Sequence, residues 1–368
     1  MNRPYLVNFS AILSHKTLSI RANVTNSKTA LHEVDKKNTA PIESIRLFSK
    51  ERFRLKMVFW GDGQNLLIKK EFDSDNYGNF EIKMSGNVNE QKIVRIDIYE
   101  TSTIQGLDLN LGSFLPLEIT SPRKIIISDF DKTLVDTRYH TAKEMYYSLN
   151  RPVSYFPTVV KSLHLFKEYI NQDFQPFILS ASPHFYEVAI RNWLYQNGLY
   201  NAQIYLKDYR DFISVFDGRL TTKDLKKQGF YKLNQLVDII LMTDIPDELV
   251  LMGDGFESDP FIYLTLQQLM NPNNDPWKIW KGIKNHNIFK LTSKQDSYFL
   301  TKFYQLNSMA KKSHISKIVT YIRATQNNIN ELKNYPFEDS TKRTLNNDII
   351  YYLNQEEIEG QKEQNNLY

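Results

Sequence analysis

The sequence predicts two folds in succession: an all-β sandwich, then an α/β unit on a parallel sheet with a C-terminal helical extension. Three observations predict this. Apolar and polar residues alternate through the first third of the chain; continuous apolar runs separated by helical stripes follow; and two of those runs end directly in paired acids. Changes of pattern set expected bounds of 1–118, 119–306 and 307–368.

At 368 residues and 41% apolar, the chain is long enough for two packed cores. A net charge of +4 with dispersed Lys and Arg carries no nucleic-acid footprint. Cysteine is absent, which excludes disulfides, a thiolate nucleophile and Cys-ligated zinc. No apolar run approaches the ~20 residues that span a bilayer. Residues 1–13 place Asn8 and Ser10 among apolar side chains, unlike a secretory signal. The expectation is a soluble, cytoplasmic protein, compatible with a peripheral membrane contact.

Within residues 5–118, Leu18, Ile20, Ala22 and Val24 alternate with Ser19, Arg21 and Asn23, as Val94, Ile96 and Ile98 do with Arg95 and Asp97. That is the period of half-buried strands, and roughly seven of them without a helical stripe predict the sandwich. The acidic stretch at 73–79 fails as a calcium loop, because Tyr77 replaces an oxygen ligand and Met84 stands where a closing Glu belongs. It is expected to be a hairpin turn.

Alternation stops at 117–122, where Ser121 and Pro122 punctuate. Ile125, Ile126 and Ile127 then form a run suited to a strand buried on both faces. Asp129 and Asp131 follow at its carboxyl end, on one side of the chain, with Phe130 opposite and Thr133 in the same turn. Open α/β sheets bind ligands at that edge, and two close carboxylates suit a cation. A helix over 158–170 precedes a strand over 176–180 that ends in Ser180. Ser182 as cap, Pro183 at the first position and Gly198 past the end frame the next helix. A strand over 203–206 leads into Lys207. Leu233, Leu236, Val237, Ile240 and Leu241 mark an amphipathic helix with Lys232 at its start. A strand over 249–253 ends in Asp254, with Asp259 beyond and Gly253 and Gly255 permitting close backbone approach.

A fifth strand is expected at 288–291. Ile315, Ile318, Val319, Ile322, Ile329 and Leu332 read as a helical stripe, with Lys311, Lys312, Lys317 and Arg323 as a basic face. The tail from 335 is polar and expected to be loosely ordered.

These motifs, in this order, resemble the haloacid dehalogenase superfamily: D-x-D-x-[TV] at 129–133, Ser180 after a strand, a lysine before the next, and Asp, four residues, Asp at 254–259. More particularly, Ser180-Ala181-Ser182-Pro183, Leu206-Lys207-Asp208-Tyr209, Tyr231-Lys232-Leu233 and Gly253-Asp254 through Asp259-Pro260 resemble the catalytic domain of actin-patch-type phosphatidate phosphatases and their bacterial relatives, over about 123–292. The turn Asp75-Asn76-Tyr77-Gly78-Asn79-Phe80 is similar to turns of the transthyretin-like sandwiches that precede such domains.

The resemblance implies a Rossmann-like haloacid dehalogenase domain and Mg²⁺-dependent removal of phosphate from phosphatidate or a related phospholipid. It implies Asp129 as the phosphoryl-accepting nucleophile, Asp131 as general acid and then base, and Ser180 and Lys232 as charge-holding groups. Asp129, Asp254 and the main-chain carbonyl of Asp131 would ligate Mg²⁺, braced by Asp259. Ser182, His184 and Lys207 are the candidate substrate contacts, and Lys207 rivals Lys232 for the motif III role. Lys132 and His184 depart from the family, which has an acid and an aromatic there; His184 also reads as a surface residue at a helix start. A phosphatase of a soluble phosphomonoester, or a non-catalytic interaction protein with a decayed phosphatase domain, are the alternatives. No P-loop is present, which argues against a kinase or ATPase.

Overall fold

β-Branched and aromatic runs make the N-terminal part of the computed structural model all β, and the alternating polar positions decide which face meets what. Residues 3–27, 51–101, 107–137, 153–207, 228–285, 293–313, 315–324 and 349–352 are described. The strands there are β1 (Arg3–Ser14), β2 (Thr17–Ser27), β3 (Arg54–Trp60), β4 (Leu66–Asp73), β5 (Asn79–Ser85), β6 (Asn87–Val88), β7 (Gln91–Lys92), β8 (Arg95–Glu100), β9 (Leu109–Phe114) and β10 (Leu117–Ile119). They form two four-stranded sheets, β10-β1-β2-β5 and β4-β3-β8-β9, and a small β6-β7 ribbon. Leu18, Ile20 and Val24 from the first sheet share one core with Leu55, Met57, Phe59, Ile96 and Ile98 from the second.

The expected hairpin at 73–79 is corrected in one respect. β4 pairs with β3 and β5 pairs with β2, so this turn carries the chain from one sheet to the other. Asp75 Oδ1 accepts from the Tyr77 and Asn79 amides at 2.8 and 2.9 Å, which satisfies the turn without a cation. Gly78 sits at φ 84°, and a Cβ there would lie 2.1 Å from the Val24 carbonyl oxygen. Only glycine fits.

From residue 124 the chain alternates strands and helices: β11 (Lys124–Ser128), α1 (Val160–Ile170), β12 (Gln175–Pro183), α2 (Glu187–Gln196), β13 (Gln203–Lys207), α3 (Gln228–Thr243), β14 (Glu248–Asp254), α4 (Asp259–Met270), α5 (Pro276–Ile283), α6 (Ser293–Ala310), β15 (Lys317–Arg323) and β16 (Ile349–Tyr352). The strands make one parallel sheet ordered β13-β12-β11-β14-β15-β16. β11 lies inside it. Ile125 and Ile127 enter one hydrophobic cluster and Ile126 the other, so helices cover both faces. Each buried isoleucine contributes about 1.5–3 kcal/mol. Because all strands run the same way, the acids after β11 and β14 emerge at one edge.

The C-terminal helical extension is corrected. Ile318, Val319 and Ile322 lie on β15, paired in register with β14, and Ile349–Tyr352 of the expected loose tail adds a further strand. The spacing imitated a helix because Thr320 and Tyr321, polar in the sequence, are held through their hydroxyls: Thr320 Oγ1 accepts from Gln267 and Tyr321 pairs with Tyr169, both at 2.8 Å. The expected strand at 288–291 and residues Ile329 and Leu332 lie outside the described residues. Among the described residues no helix is long and apolar enough to cross a membrane.

The outer, polar face of the first sheet packs on the α/β part. Ser10 accepts from the Tyr205 hydroxyl at 2.8 Å, Ser14 donates to the Thr243 carbonyl at 2.8 Å, and Arg21 pairs with Asp238 at 3.4 Å. Asn8, in a left-handed conformation at the β1 bulge, donates its side-chain amide to the Leu206 carbonyl at 3.0 Å and its backbone N–H to Glu187 at 2.7 Å.

Candidate active site

Asp129 follows β11 directly, and its backbone N–H donates to the Met252 carbonyl at 2.8 Å, so strand pairing fixes the first acid against β14. Its carboxylate is buried. Oδ1 lies 3.0 Å from Lys232 Nζ, and Oδ2 accepts from the Thr133 hydroxyl at 3.3 Å. Lys232 sits one turn into α3 and also donates to Asp259 Oδ1 at 2.7 Å. Lys232 thus reaches both acids. Lys207 is buried at the end of β13, opposite Pro183 in the register.

Asp254 closes β14. Its Oδ1 caps the following turn, accepting from the amides of Phe256 and Glu257 at 2.6 and 2.9 Å. Its Oδ2 is buried with no hydrogen-bond partner. Asp259, at the first position of α4, accepts from the Asp254 amide through Oδ2 at 3.2 Å. Gly253 permits this approach, since a Cβ would lie 2.6 Å from Asp259 Oδ2 and 2.7 Å from the Tyr263 ring. Space, not an unusual dihedral, requires glycine there.

One oxygen each from Asp129, Asp254 and Asp259 lies within 4.8 Å of the others, all buried. Burial pushes the Asp129 carboxyl well above the usual range, and neighbouring Asp259 and Asp254 add to this while Lys232 opposes it. Asp254 is pushed up to about 8, by burial first and then by Asp259 and Glu257. Burial would depress the Lys232 ammonium, but Asp129 and Asp259 outweigh it and hold it well above the ordinary lysine value. Three buried carboxylates face one buried ammonium, and a fourth acid, Asp131, stands beside them. The set lacks positive charge, and its unpartnered Asp254 oxygen fits a hard divalent cation with oxygen ligands.

Asp131 is turned otherwise. Its Oδ2 accepts from the hydroxyls of Ser180 at 2.8 Å and Ser182 at 2.6 Å, and Ser180 Oγ in turn accepts from the Ser182 amide at 2.9 Å. The Asp131 side chain thus belongs with the serines, while the cluster of close carboxylates comprises Asp129, Asp254 and Asp259.

Two expectations about this turn are corrected. Ser182 does not cap a helix: β12 runs on to Pro183, a 3₁₀ turn over His184–Tyr186 intervenes, and α2 begins at Glu187. His184 is not on the surface but fully buried in that turn. Both follow from the Asp131 contacts, which draw the serines inward and keep the chain extended before the helix.

Two tyrosines that carry no motif, and Lys132 and Arg323, complete the surroundings. Tyr263 donates to the Met252 carbonyl at 2.8 Å, behind Asp129. Tyr186 is buried close enough to Asp131 for that charge to add to the upward shift that burial gives its hydroxyl. Lys132, at φ 60°, pairs with Glu257 at 3.1 Å. Arg323 is buried as well, which removes it from the expected basic face; Lys311, Lys312 and Lys317 remain exposed. A signal for Arg323 was available in its strand, Lys317–Arg323, rich in β-branched and aromatic residues and ending level with Asp254.

A family model described as "Phosphatidate phosphatase APP1, catalytic domain" matches residues 124–273, the segment that supplies Asp129, Asp131, Ser180, Ser182, Lys232, Asp254 and Asp259. The chain carries a phosphatidate phosphatase-like catalytic domain. That description is of a phosphoric monoester hydrolase domain. No curated protein matches. Solved structures that align include a β-glucuronidase of Bacteroides uniformis, at 12% identity over 89% of this chain and 34% of that one, with a TM-score of 0.25. A β-glucuronidase of Parabacteroides merdae aligns at 9% identity over 87% of this chain and 33% of that one, TM-score 0.24. One of Bifidobacterium dentium aligns at 7% identity over 95% and 53%, TM-score 0.27. The chain spans about a third of the length of the first of these, and scores this low carry no inference about fold or activity.

Proposed function

We propose that the chain is a Mg²⁺-dependent phosphatase of phosphatidate or a related phospholipid, working through an aspartyl phosphate on a haloacid dehalogenase-type domain. A transthyretin-like β-sandwich over residues 1–118 would precede that domain. The observation that carries the reading is the convergence of Asp129, Asp131, Lys232, Asp254 and Asp259 at one sheet edge, within the segment that matches the phosphatase model.

In this reading an Asp129 oxygen attacks phosphorus while the bond from phosphorus to the lipid oxygen breaks, and Asp131 gives its proton to that leaving oxygen. Asp131, now a carboxylate, takes a proton from water; the water oxygen attacks phosphorus, the bond to Asp129 breaks, and inorganic phosphate leaves. Ser180 and Ser182, which hold Asp131 in position, are close enough to it to turn toward phosphoryl oxygens once substrate is bound. Lys232 opposes the protonation that burial favours at Asp129 and directs its carboxylate. Asp129, Asp254 and the Asp131 main chain would hold Mg²⁺, with Asp259 bracing; when bound, the ion supplies positive charge to the carboxylates and the phosphoryl oxygens.

Lipid is favoured over a soluble ester by what surrounds the acid edge. Phe256 on the Asp254 turn, Val188 in the first turn of α2 and Val160 at the start of α1 are all exposed there. The exposed lysine Lys317, by contrast, pairs in register with Glu248 at the opposite end of β14, about 20 Å from Asp254 at ~3.3 Å per residue. A lipid surface is therefore proposed to meet the apolar rim, not the lysines. The retention of every reactive group speaks against a decayed domain.

The test is a panel of phosphorylated lipids and metabolites assayed with Mg²⁺. Turnover of phosphatidate in vesicles is expected. Turnover of small phosphates alone would move the reading to a soluble phosphomonoester, and no turnover of either would overturn it.

A further inference from the structure

We propose that Arg323, outside the segment matched by the phosphatase model, is a positioning residue that holds the two acidic turns of the site in register. This deepens the phosphatase reading and rests on it for its kinetic consequences. Arg323 is the last residue of β15, level with Asp254 in the parallel register. Its Nη1 donates to the Lys132 carbonyl at 2.6 Å and lies 3.2 Å from Asp136 Oδ1. Its own carbonyl accepts from the Gly255 amide at 2.8 Å, and its guanidinium lies 5.9 Å from the Phe256 ring centroid. One residue thus grips the turn after Asp129 with its side chain and the turn after Asp254 with its backbone.

The grip falls where the backbone needs it. Lys132 adopts a left-handed conformation at φ 60°, which strains a residue that carries a side chain. Its N–H donates to the Val135 carbonyl at 2.7 Å, and Arg323 takes its carbonyl. The peptide carrying the Asp131 carbonyl is therefore fixed on its C-terminal side by a charge-assisted bond from a buried cation. Lys132 and Glu257 form a second tie between the same turns at 3.1 Å, but both ends of that tie lie on the turns themselves. Arg323 anchors them to a strand of the sheet.

The experiment compares wild type with Arg323→Gln and Arg323→Lys by steady-state kinetics on phosphatidate vesicles with Mg²⁺, and by amide hydrogen exchange. Arg323→Gln is expected to lower kcat about 10- to 100-fold with KM changed less than about threefold, since misplacement by ~1 Å costs on that order. Arg323→Lys, which keeps the charge and one donor, is expected to restore part of kcat. In Arg323→Gln the amides of Lys132, Leu134, Val135, Phe256 and Glu257 are expected to exchange faster while β11 and β14 stay protected. Unchanged exchange at those amides, or unchanged kcat, overturns the proposal. So does a kcat loss equal to the unfolded fraction and not relieved by lysine. If Arg323→Gln does not fold, Asp136→Asn replaces it, with faster exchange at Lys132 to Val135 and a kcat loss of about two- to threefold expected; no change in either overturns the clamp. Absence of turnover by wild type would reject the phosphatase reading, while the exchange result would still decide the clamp.

Discussion

The Ser182 hydroxyl donates to Asp131 at 2.6 Å, where a helix cap was expected from the sequence. With Ser180 it forms a cradle that orients the acid proposed to move protons.

Ser182→Ala should lower kcat about fivefold on an ester with a poor leaving group, the equivalent of one hydrogen bond of ~1 kcal/mol. On a substrate with a good leaving group, which needs little proton donation, the loss should shrink toward none. Equal losses on both would assign Ser182 to substrate binding alone.

The pH dependence of metal-free stability follows from Asp254. Its carboxyl is raised to about 8 in the fold, against ~3.9 unfolded, so between those values the folded state binds more protons than the unfolded one. Stability is then fully present below the unfolded value and falls as pH rises toward 8. Mg²⁺ competes for the same site, so its stabilising shift in Tm should be larger at pH 8 than at pH 5.5. A shift independent of pH would contradict metal binding at these carboxylates.

Gly253→Ala should disable the site through packing. Its Cβ would press on Asp259 Oδ2 and the Tyr263 ring, so overpacking of about 1–3 kcal/mol is expected along with weakened Mg²⁺ binding. Wild-type metal affinity by titration calorimetry in this variant would show that Asp259 need not sit where it does.

Much of this was legible in the chain itself, for stated physical reasons. Ile125 to Ile127 had to be buried on both faces, and Asp129 and Asp254 each follow such a run, so parallel strands bring them together without any contact being visible in the sequence. Whether Lys207 or Lys232 meets the acids was not legible, because both precede or begin helical stretches; only the placement of α3 brings Lys232 to Asp129. β15 was misread because a strand buried on both faces has no period of two, and Thr320 and Tyr321 looked solvent-facing. On β2 the period of two is correct, but the polar side of the strand, with Ser19 and Asn23, faces protein and not water.

The central claim is that Asp129 accepts the phosphoryl group, and acid quenching of the enzyme during turnover of ³²P-labelled phosphatidate tests it directly. Asp131→Asn removes the proton donor and later base, a loss of roughly 10²–10⁴-fold, yet leaves the nucleophile in place. With a good leaving group that variant should accumulate an acid-stable, base-labile phosphoryl group, and peptide mapping should locate it on Asp129. Asp129→Asn should neither turn over nor become labelled. Label on another residue, or near-normal turnover by Asp129→Asn, would contradict the account.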